Sequence, residues 1–219
     1  MEFNDWVRAW FDHPDDWNFI TDGSDDDELG DIMDTANDLP AVETVSHATH
    51  LFENAGEILR SYRDPQVGHG LYALIWEGGC PLYALRDPLV SEEASCRCIR
   101  AIGTVYREIF AVRCTENLGH LSEEISDLNG ICYMWWDIFP AAGQHLSEEQ
   151  NKAVFDVLEQ ALALPNAGCQ ESALHGLGHW HHYSKKPVER IIDFFLASGN
   201  ARRPELLRYA TSARVGSVV

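Results

Sequence analysis

Apolar residues recur at intervals of three and four along most of this chain, and this spacing constrains the fold more than any other feature of the sequence. Residues 148–164 are the clearest example, because Ser147 and Gln150 have the spacing of a capping box and Pro165 follows the end. The apolar stripe consists of Val154, Val157, Leu158, Ala161 and Leu162. The segment therefore predicts an amphipathic helix that buries one face.

The same spacing predicts helices elsewhere, and no run alternates with the period of a strand. The predicted segments are 42–62, 67–76, 92–114, 128–139, 169–183, 187–199 and 204–214, together with an N-terminal helix that carries Trp6 and Trp10. We therefore predict an all-α fold of irregular antiparallel helix pairs, about 8–9 helices in number, arranged as a HEAT-like array or a globular bundle.

A chain of 219 residues is long enough for one domain with a sizeable core. We expect residues 1–219 to form a single domain, in which 1–34 are an acidic N-terminal helix and loop and 35–219 are the helical body. The loop is predicted over Trp17–Asp34, because this stretch is polar and rich in turn-forming residues.

The charge is strongly negative and uneven. Lys and Arg number 16 against 35 Asp and Glu, which gives a formal net charge of −19. Residues 1–34 carry a net −11, residues 35–150 a net −10, and the remainder a net +2. The negative electrostatic potential that follows from this charge makes nucleic acid and anionic membranes poor partners, whereas it attracts a basic protein surface.

The cysteines predict a reduced, cytoplasmic protein. The six are Cys80, Cys96, Cys98, Cys114, Cys132 and Cys169. They lie mostly in apolar, helical stretches and lack the spacing of a zinc ribbon or a disulfide framework. The N-terminus has no basic start or long apolar run, so we expect neither a signal peptide nor a membrane span.

Histidines concentrate between residues 171 and 182. On one helix Glu171, His175, His179 and His182 share a face, but the outer histidines lie about 10 Å apart along the axis, too far to bind one ion together. Zincins need a Glu where this chain has Gly176. Two interpretations of His175 and His179 stay open: packed structural residues, or ligands of a metal.

Gly176 and Gly178 are costly inside a helix, and they predict close approach of another helix backbone. A second histidine cluster, His47 and His50 with Glu43 and Glu53, would form a composite metal site if it faced the same cleft. The aromatic run from Tyr133 to Phe139 is typical of a buried core.

Other motifs for chemistry are missing from the sequence. EF-hand frames starting at Asp22 or Asp25 lack the closing Glu, so calcium is not indicated. The sequence contains no P-loop, no dinucleotide-binding fingerprint and no nucleophile elbow. We therefore expect no catalytic residue and no cofactor, and a binding protein in preference to an enzyme.

Residues 90–214 resemble HEAT and armadillo repeats, because successive helices are joined by short Pro, Gly and Asn connectors. Trp76, Trp136 and Trp180 fall near the ends of the three most apolar helices. The resemblance implies binding and scaffolding, and it supplies no catalytic residue.

The charge and the missing catalytic motifs favour a domain that neutralises a basic partner, most concretely a bacterial immunity protein or toxin inhibitor that occludes a nuclease. The candidate partner-binding acids are Asp12, Asp15, Asp16, Asp22, Asp25, Asp26, Asp27 and Glu28, with Trp6, Trp10 and Trp17 as aromatic anchors. Alternatives are a metal-dependent helical enzyme built on His175 and His179, and a scaffold that holds a peptide between helices.

Overall fold

The computed structural model describes residues 1–14, 28–76, 80–140 and 146–218. Within these ranges the regular structure is helical and no strand occurs, which confirms the all-α prediction. The N-terminal half contains α1 (Phe3–Phe11), α2 (Glu28–Asn37), α3 (Ala41–Glu53), the single turn α4 (Ala55–Ile58), α5 (Asp64–Ile75) and a 3-10 helix (Pro81–Arg86).

The second half begins with α6 (Glu92–Val105), which continues through a π-helical turn (Tyr106–Phe110) to Ala111–Arg113. A 3-10 turn (Gly119–Leu121), α7 (Asp127–Met134), α8 (Glu148–Ala163), α9 (Ala167–Trp180), α10 (Lys185–Ser198) and α11 (Glu205–Ala213) follow. Among the described residues, none of the helices combines the length and apolar character that crossing a bilayer requires.

Several predicted helix ends are confirmed in atomic detail. At the start of α8, the Gln150 amide donates to the Ser147 hydroxyl at 3.2 Å and the Ser147 amide donates to the Gln150 side chain at 2.9 Å. α10 ends at Gly199, whose φ of 72° is the left-handed conformation that glycine adopts without strain.

The predicted loop over Trp17–Asp34 is wrong in its last part, because α2 starts at Glu28. Leu29, Ile32, Met33 and Ala36 have helical spacing, and the acidic residues around them obscured this pattern. Met33 and Ala36 are buried, so the second half of α2 packs on the core as an amphipathic helix does.

Two further predicted helices are shorter than expected. The 42–62 segment breaks at Asn54, whose side-chain amide donates to the His50 carbonyl at 2.9 Å and competes with the helical ladder. The 128–139 segment is helical only as far as Met134 and continues in turns, although Trp135, Trp136 and Phe139 are buried as predicted.

The central helix is α9, which packs against α7, α8, α10 and α11. Every residue of α9 is buried except His179, which is only partly buried. Asn166 is the N-cap of the helix, and its side chain accepts from the Cys169 amide at 3.0 Å. Gln170 binds the carbonyls of Leu162 and Asn200 and so ties α9 to the segments on either side of it.

All six cysteines are buried and none is in a disulfide, as their positions in apolar segments predicted.

Candidate metal centre

His175 and His179 lie one turn apart on α9 and point at each other. Their Nε2 atoms are 3.2 Å apart, and their ring centroids are 4.6 Å apart. The His175 side chain is buried, whereas 38% of the His179 side chain is exposed. His175 therefore lies in the core, and His179 lies at the surface.

Asp137 completes this cluster from a different part of the chain. Its Oδ1 atom lies 3.4 Å from Nε2 of His179, and 32% of its side chain is exposed. One ligand atom from each of Asp137, His175 and His179 lies within 4.8 Å of the other two. Two imidazoles and a carboxylate at this spacing are a donor set that zinc and other divalent transition metals prefer.

Gly176 allows Asp137 to approach α9. A Cβ atom at Gly176 would lie 2.5 Å from Cβ of Trp136, so any larger residue would push this tryptophan away. Trp136 precedes Asp137 and is fully buried. The glycine thus sets the distance between α9 and the turn that carries the carboxylate.

The prediction that another helix backbone approaches these glycines is wrong, since side chains fill the space. Trp136 packs on Gly176, and Val218 packs on Gly178, where a Cβ would lie in steric overlap with the Val218 side chain. Val218 belongs to the segment after α11, so the C-terminal tail lies against the end of α9 next to His179.

The surroundings of His175 keep its imidazole neutral. Burial, and then the neighbouring His179 and His120, lower the pKa of His175 to about 3. The Tyr209 hydroxyl lies 2.7 Å from its Nδ1 atom, and the Tyr133 ring lies 4.2 Å from its ring. A neutral imidazole is the form that binds a metal.

Glu171 does not join His175 and His179, although the helical spacing places all three on one face. Its carboxylate accepts from the backbone amides of Gly119 and His120 at 3.1 and 2.9 Å and contacts Nδ1 of His120 at 2.5 Å. Glu171 is therefore a fully paired buried acid that fixes the Gly119–Leu121 turn.

His120 connects this acid to the histidine cluster. Its ring stacks on the Tyr209 ring with centroids 4.0 Å apart. Burial raises the pKa of Tyr209, so the residue stays a neutral phenol between the His120 ring and His175.

The remaining predicted histidine sites do not assemble. His182 is exposed beyond the end of α9, so the predicted four-residue face is wrong at this position. His47 lies 3.1 Å from the Met1 carbonyl through its Nε2 atom, and His50 packs its ring on Phe3. The composite site is therefore not formed, because the N-terminal helix occupies the face of α3 that carries His47 and His50.

The structure corrects the prediction of Trp6 and Trp10 as partner anchors. Both rings are in the core, at 0% and 2% exposure, because they form the inward face of α1. Asp12 is exposed at the end of α1, and Glu28 begins α2. The other candidates fall outside the described residues: Asp15, Asp16, Trp17, Asp22, Asp25, Asp26 and Asp27.

Three residues of this site were missed by the sequence analysis: Asp137, His120 and Tyr209. Asp137 did leave a signal, because it is the single charged residue in the aromatic run from Tyr133 to Phe139. A charge inside a segment that is otherwise core needs a partner. His120 and Tyr209 lie in unremarkable segments, and only the folded chain brings them to α9.

Comparison with protein-family models, with curated proteins and with solved structures gives no match for this chain. The resemblance to HEAT and armadillo repeats stays a prediction.

Proposed function

We propose that this chain is a metal-binding helical protein in which Asp137, His175 and His179 hold one divalent ion of the zinc type. The observation that carries the proposal is the mutual placement of the three ligand atoms, all within 4.8 Å of one another. The proposal takes up the alternative of a metal-dependent protein built on His175 and His179, and it adds Asp137, which the sequence did not indicate as a ligand.

Two of the three distances between ligand atoms fit a tetrahedral ion. Two ligands at about 2.0–2.1 Å from zinc lie about 3.3–3.4 Å apart in tetrahedral geometry. The separations in the cluster are 3.2 Å between the two histidine nitrogens and 3.4 Å between His179 and Asp137. Two of the three pairs are therefore spaced for a shared ion, and the third pair, His175 and Asp137, lies within 4.8 Å.

Three protein ligands leave a fourth position for water, as in catalytic zinc sites. Because His179 and Asp137 are partly exposed, a fourth ligand would approach such an ion from the solvent side. Zinc lowers the pKa of a bound water to about 7, which makes it a nucleophile at neutral pH. Hydrolysis is the chemistry that a zinc ion would supply here, so a metal-dependent hydrolytic enzyme is the function class that we propose for a zinc-loaded chain.

Metal analysis of untagged protein tests the proposal. The wild-type chain should contain one ion per chain after purification, or bind one Zn²⁺ in a titration. His179→Ala and Asp137→Asn should each lose this binding while they stay folded by circular dichroism. His182→Ala is the matched control, because it removes an exposed histidine just beyond α9 and should bind as the wild type does.

A wild-type chain that binds Zn²⁺, Co²⁺ and Fe²⁺ no more tightly than the His179→Ala variant would contradict the proposal. Elemental analysis of the purified chain is needed to identify the metal, because a site with two histidines and one carboxylate is also used by iron(II) enzymes.

A second function, binding of a basic protein partner, is supported by the net charge of −19. Acids of the first helices are exposed, namely Glu2, Asp5, Asp12, Asp34 and Asp38. Long-range attraction to such a surface raises the association rate and weakens with salt. We propose a bacterial immunity protein or toxin inhibitor as the concrete form of this function. We also propose a cytoplasmic location, because none of the six cysteines is in a disulfide.

Capture from native cell extract at low and high salt tests this second function. One basic partner should be retained at low salt and released at high salt. Replacement of Asp25, Asp26 and Asp27 by Ser should slow association, and unchanged binding by this variant would contradict the assignment of the partner surface to the acidic N-terminal region.

A further inference from the structure

The Tyr209 hydroxyl lies behind the proposed metal site, on the side away from the ion. It is 2.7 Å from Nδ1 of His175, and 3.3 Å from the Tyr133 hydroxyl. Tyr209 lies on α11, whereas His175 lies on α9. The hydroxyl therefore joins the site to a helix that supplies no ligand.

A metal-bound histidine needs a partner for its second nitrogen. A neutral imidazole carries one proton, so a metal on Nε2 of His175 places that proton on Nδ1. The oxygen that faces Nδ1 belongs to Tyr209, which can accept this proton as a hydrogen bond and donate its own to Tyr133. Such partners fix the tautomer and the orientation of a ligand.

Without a metal the same atoms can also take a second arrangement. The two Nε2 atoms lie 3.2 Å apart, so one of them must carry a proton to avoid two facing lone pairs. If His175 carries it, Nδ1 becomes the acceptor and the Tyr209 hydroxyl donates. A hydroxyl group satisfies both arrangements because it can donate or accept, which a backbone carbonyl cannot do.

Tyr209 is itself held firmly. Its ring stacks on His120, whose ring and backbone both contact Glu171 of α9. The residue is buried, and it forms part of the face that α11 packs on α9. A shift of α11 would therefore move the hydroxyl away from His175.

We infer that Tyr209 is a positioning residue that couples occupancy of the metal site to the docking of α11 on α9. The inference rests on the proposed metal site. Linkage makes the effect reciprocal: if docking of α11 strengthens metal binding, bound metal strengthens the docking of α11 by the same factor.

The test uses the full chain with Co²⁺, because the visible absorption of this ion reports its coordination. Tyr209→Phe keeps the ring and removes only the hydroxyl, and we expect Co²⁺ and Zn²⁺ affinity to fall by about 10–100-fold. The Co²⁺ spectrum at saturation should also change, since His175 loses the partner that orients it. Tyr183→Phe is the matched control, because Tyr183 is exposed, and it should change neither quantity.

Hydrogen exchange gives a second measurement, which starts from the wild-type chain. Added Zn²⁺ should slow exchange of the amides in Glu205–Ala213 more than in the exposed half of Lys185–Ser198. In Tyr209→Phe this metal-dependent protection of α11 should be lost.

The outcomes separate the two proposals. Absence of metal binding by the wild type removes the proposed function, and this inference with it. If the wild type binds metal and Tyr209→Phe binds with the same affinity and the same spectrum, the coupling is overturned while the metal site stands. Equal protection of α11 with and without Zn²⁺ overturns the coupling in the same way.

Discussion

Asp137 and His179 meet at 3.4 Å although one lies in a turn after α7 and the other on α9. The contact exists because Trp136, the neighbour of Asp137, packs directly on Gly176. The geometry of the proposed metal centre therefore depends on a glycine that binds nothing itself.

Gly176→Ala should damage both stability and metal binding. The new Cβ would lie 2.5 Å from Trp136, so the turn with Asp137 must move. We expect a loss of about 1–3 kcal/mol in the free energy of unfolding and a decrease of about tenfold or more in Zn²⁺ affinity. Urea unfolding with a chelator and a Zn²⁺ titration measure the two effects.

Gly130→Ala is the control for this substitution. Gly130 is also in a helix, but a Cβ there meets no atom within 4 Å. The free energy of unfolding of this variant should rise by up to about 1 kcal/mol, because alanine favours a helix more than glycine does. Its Zn²⁺ affinity should be unchanged. Equal metal affinity in Gly176→Ala and Gly130→Ala would show that the glycine does not set the position of Asp137.

Glu171→Ala should destabilise the chain through unpaired donors. The carboxylate accepts from two backbone amides and contacts the His120 ring, so its removal leaves these groups without a partner. We expect the free energy of unfolding to fall by about 2–4 kcal/mol. The decrease should be smaller in Glu171→Gln, because glutamine keeps one acceptor oxygen. Denaturant unfolding of both variants measures this difference, and equal stabilities would contradict the assigned role.

Trp10→Ala should act on stability and not selectively on partner binding, because the ring is in the core. We expect the free energy of unfolding to fall by about 3–5 kcal/mol. Asp12→Asn should change stability by less than about 0.5 kcal/mol and should slow association with a basic partner at low salt. A Trp10→Ala variant of native stability would show that the ring is not packed as described.

The ion pair of Glu123 and Arg203 should make stability depend on pH in the acid range. Hydrogen bonds from Arg203, and then from the Leu118 amide, lower the pKa of Glu123 to about 2 from its ordinary value of 4.5. Its stabilising contribution is therefore complete above pH 4.5 and is lost as the pH falls toward about 2.

Thermal unfolding between pH 2 and 7 measures this effect. Glu123→Gln should flatten the decrease in stability on the acid side. Glu124→Gln makes the same change in charge one residue away, at an exposed position without the Arg203 ion pair, and should keep the wild-type slope. If stability falls with pH in the same way in the wild type and in Glu123→Gln, the ion pair of Glu123 and Arg203 does not make the assigned contribution.

The helices and their ends were predictable because the signals are local. The Ser147 capping box, the stop at Gly199 and the inward stripe of α8 depend on residues within a few positions of one another, and the structure contains all three. Local signals failed where charge density concealed an apolar stripe, as in α2, or where a side chain competed with the backbone, as at Asn54.

The candidate metal centre was predictable only in part. Helical periodicity alone places His175 beside His179, because a step of four residues returns to the same face. It also placed Glu171 and His182 on that face, yet Glu171 binds the Gly119–Leu121 turn and His182 lies in solvent. Asp137, His120 and Tyr209 come from segments distant in sequence, and only the packing of α7, the Gly119–Leu121 turn and α11 around α9 brings them together.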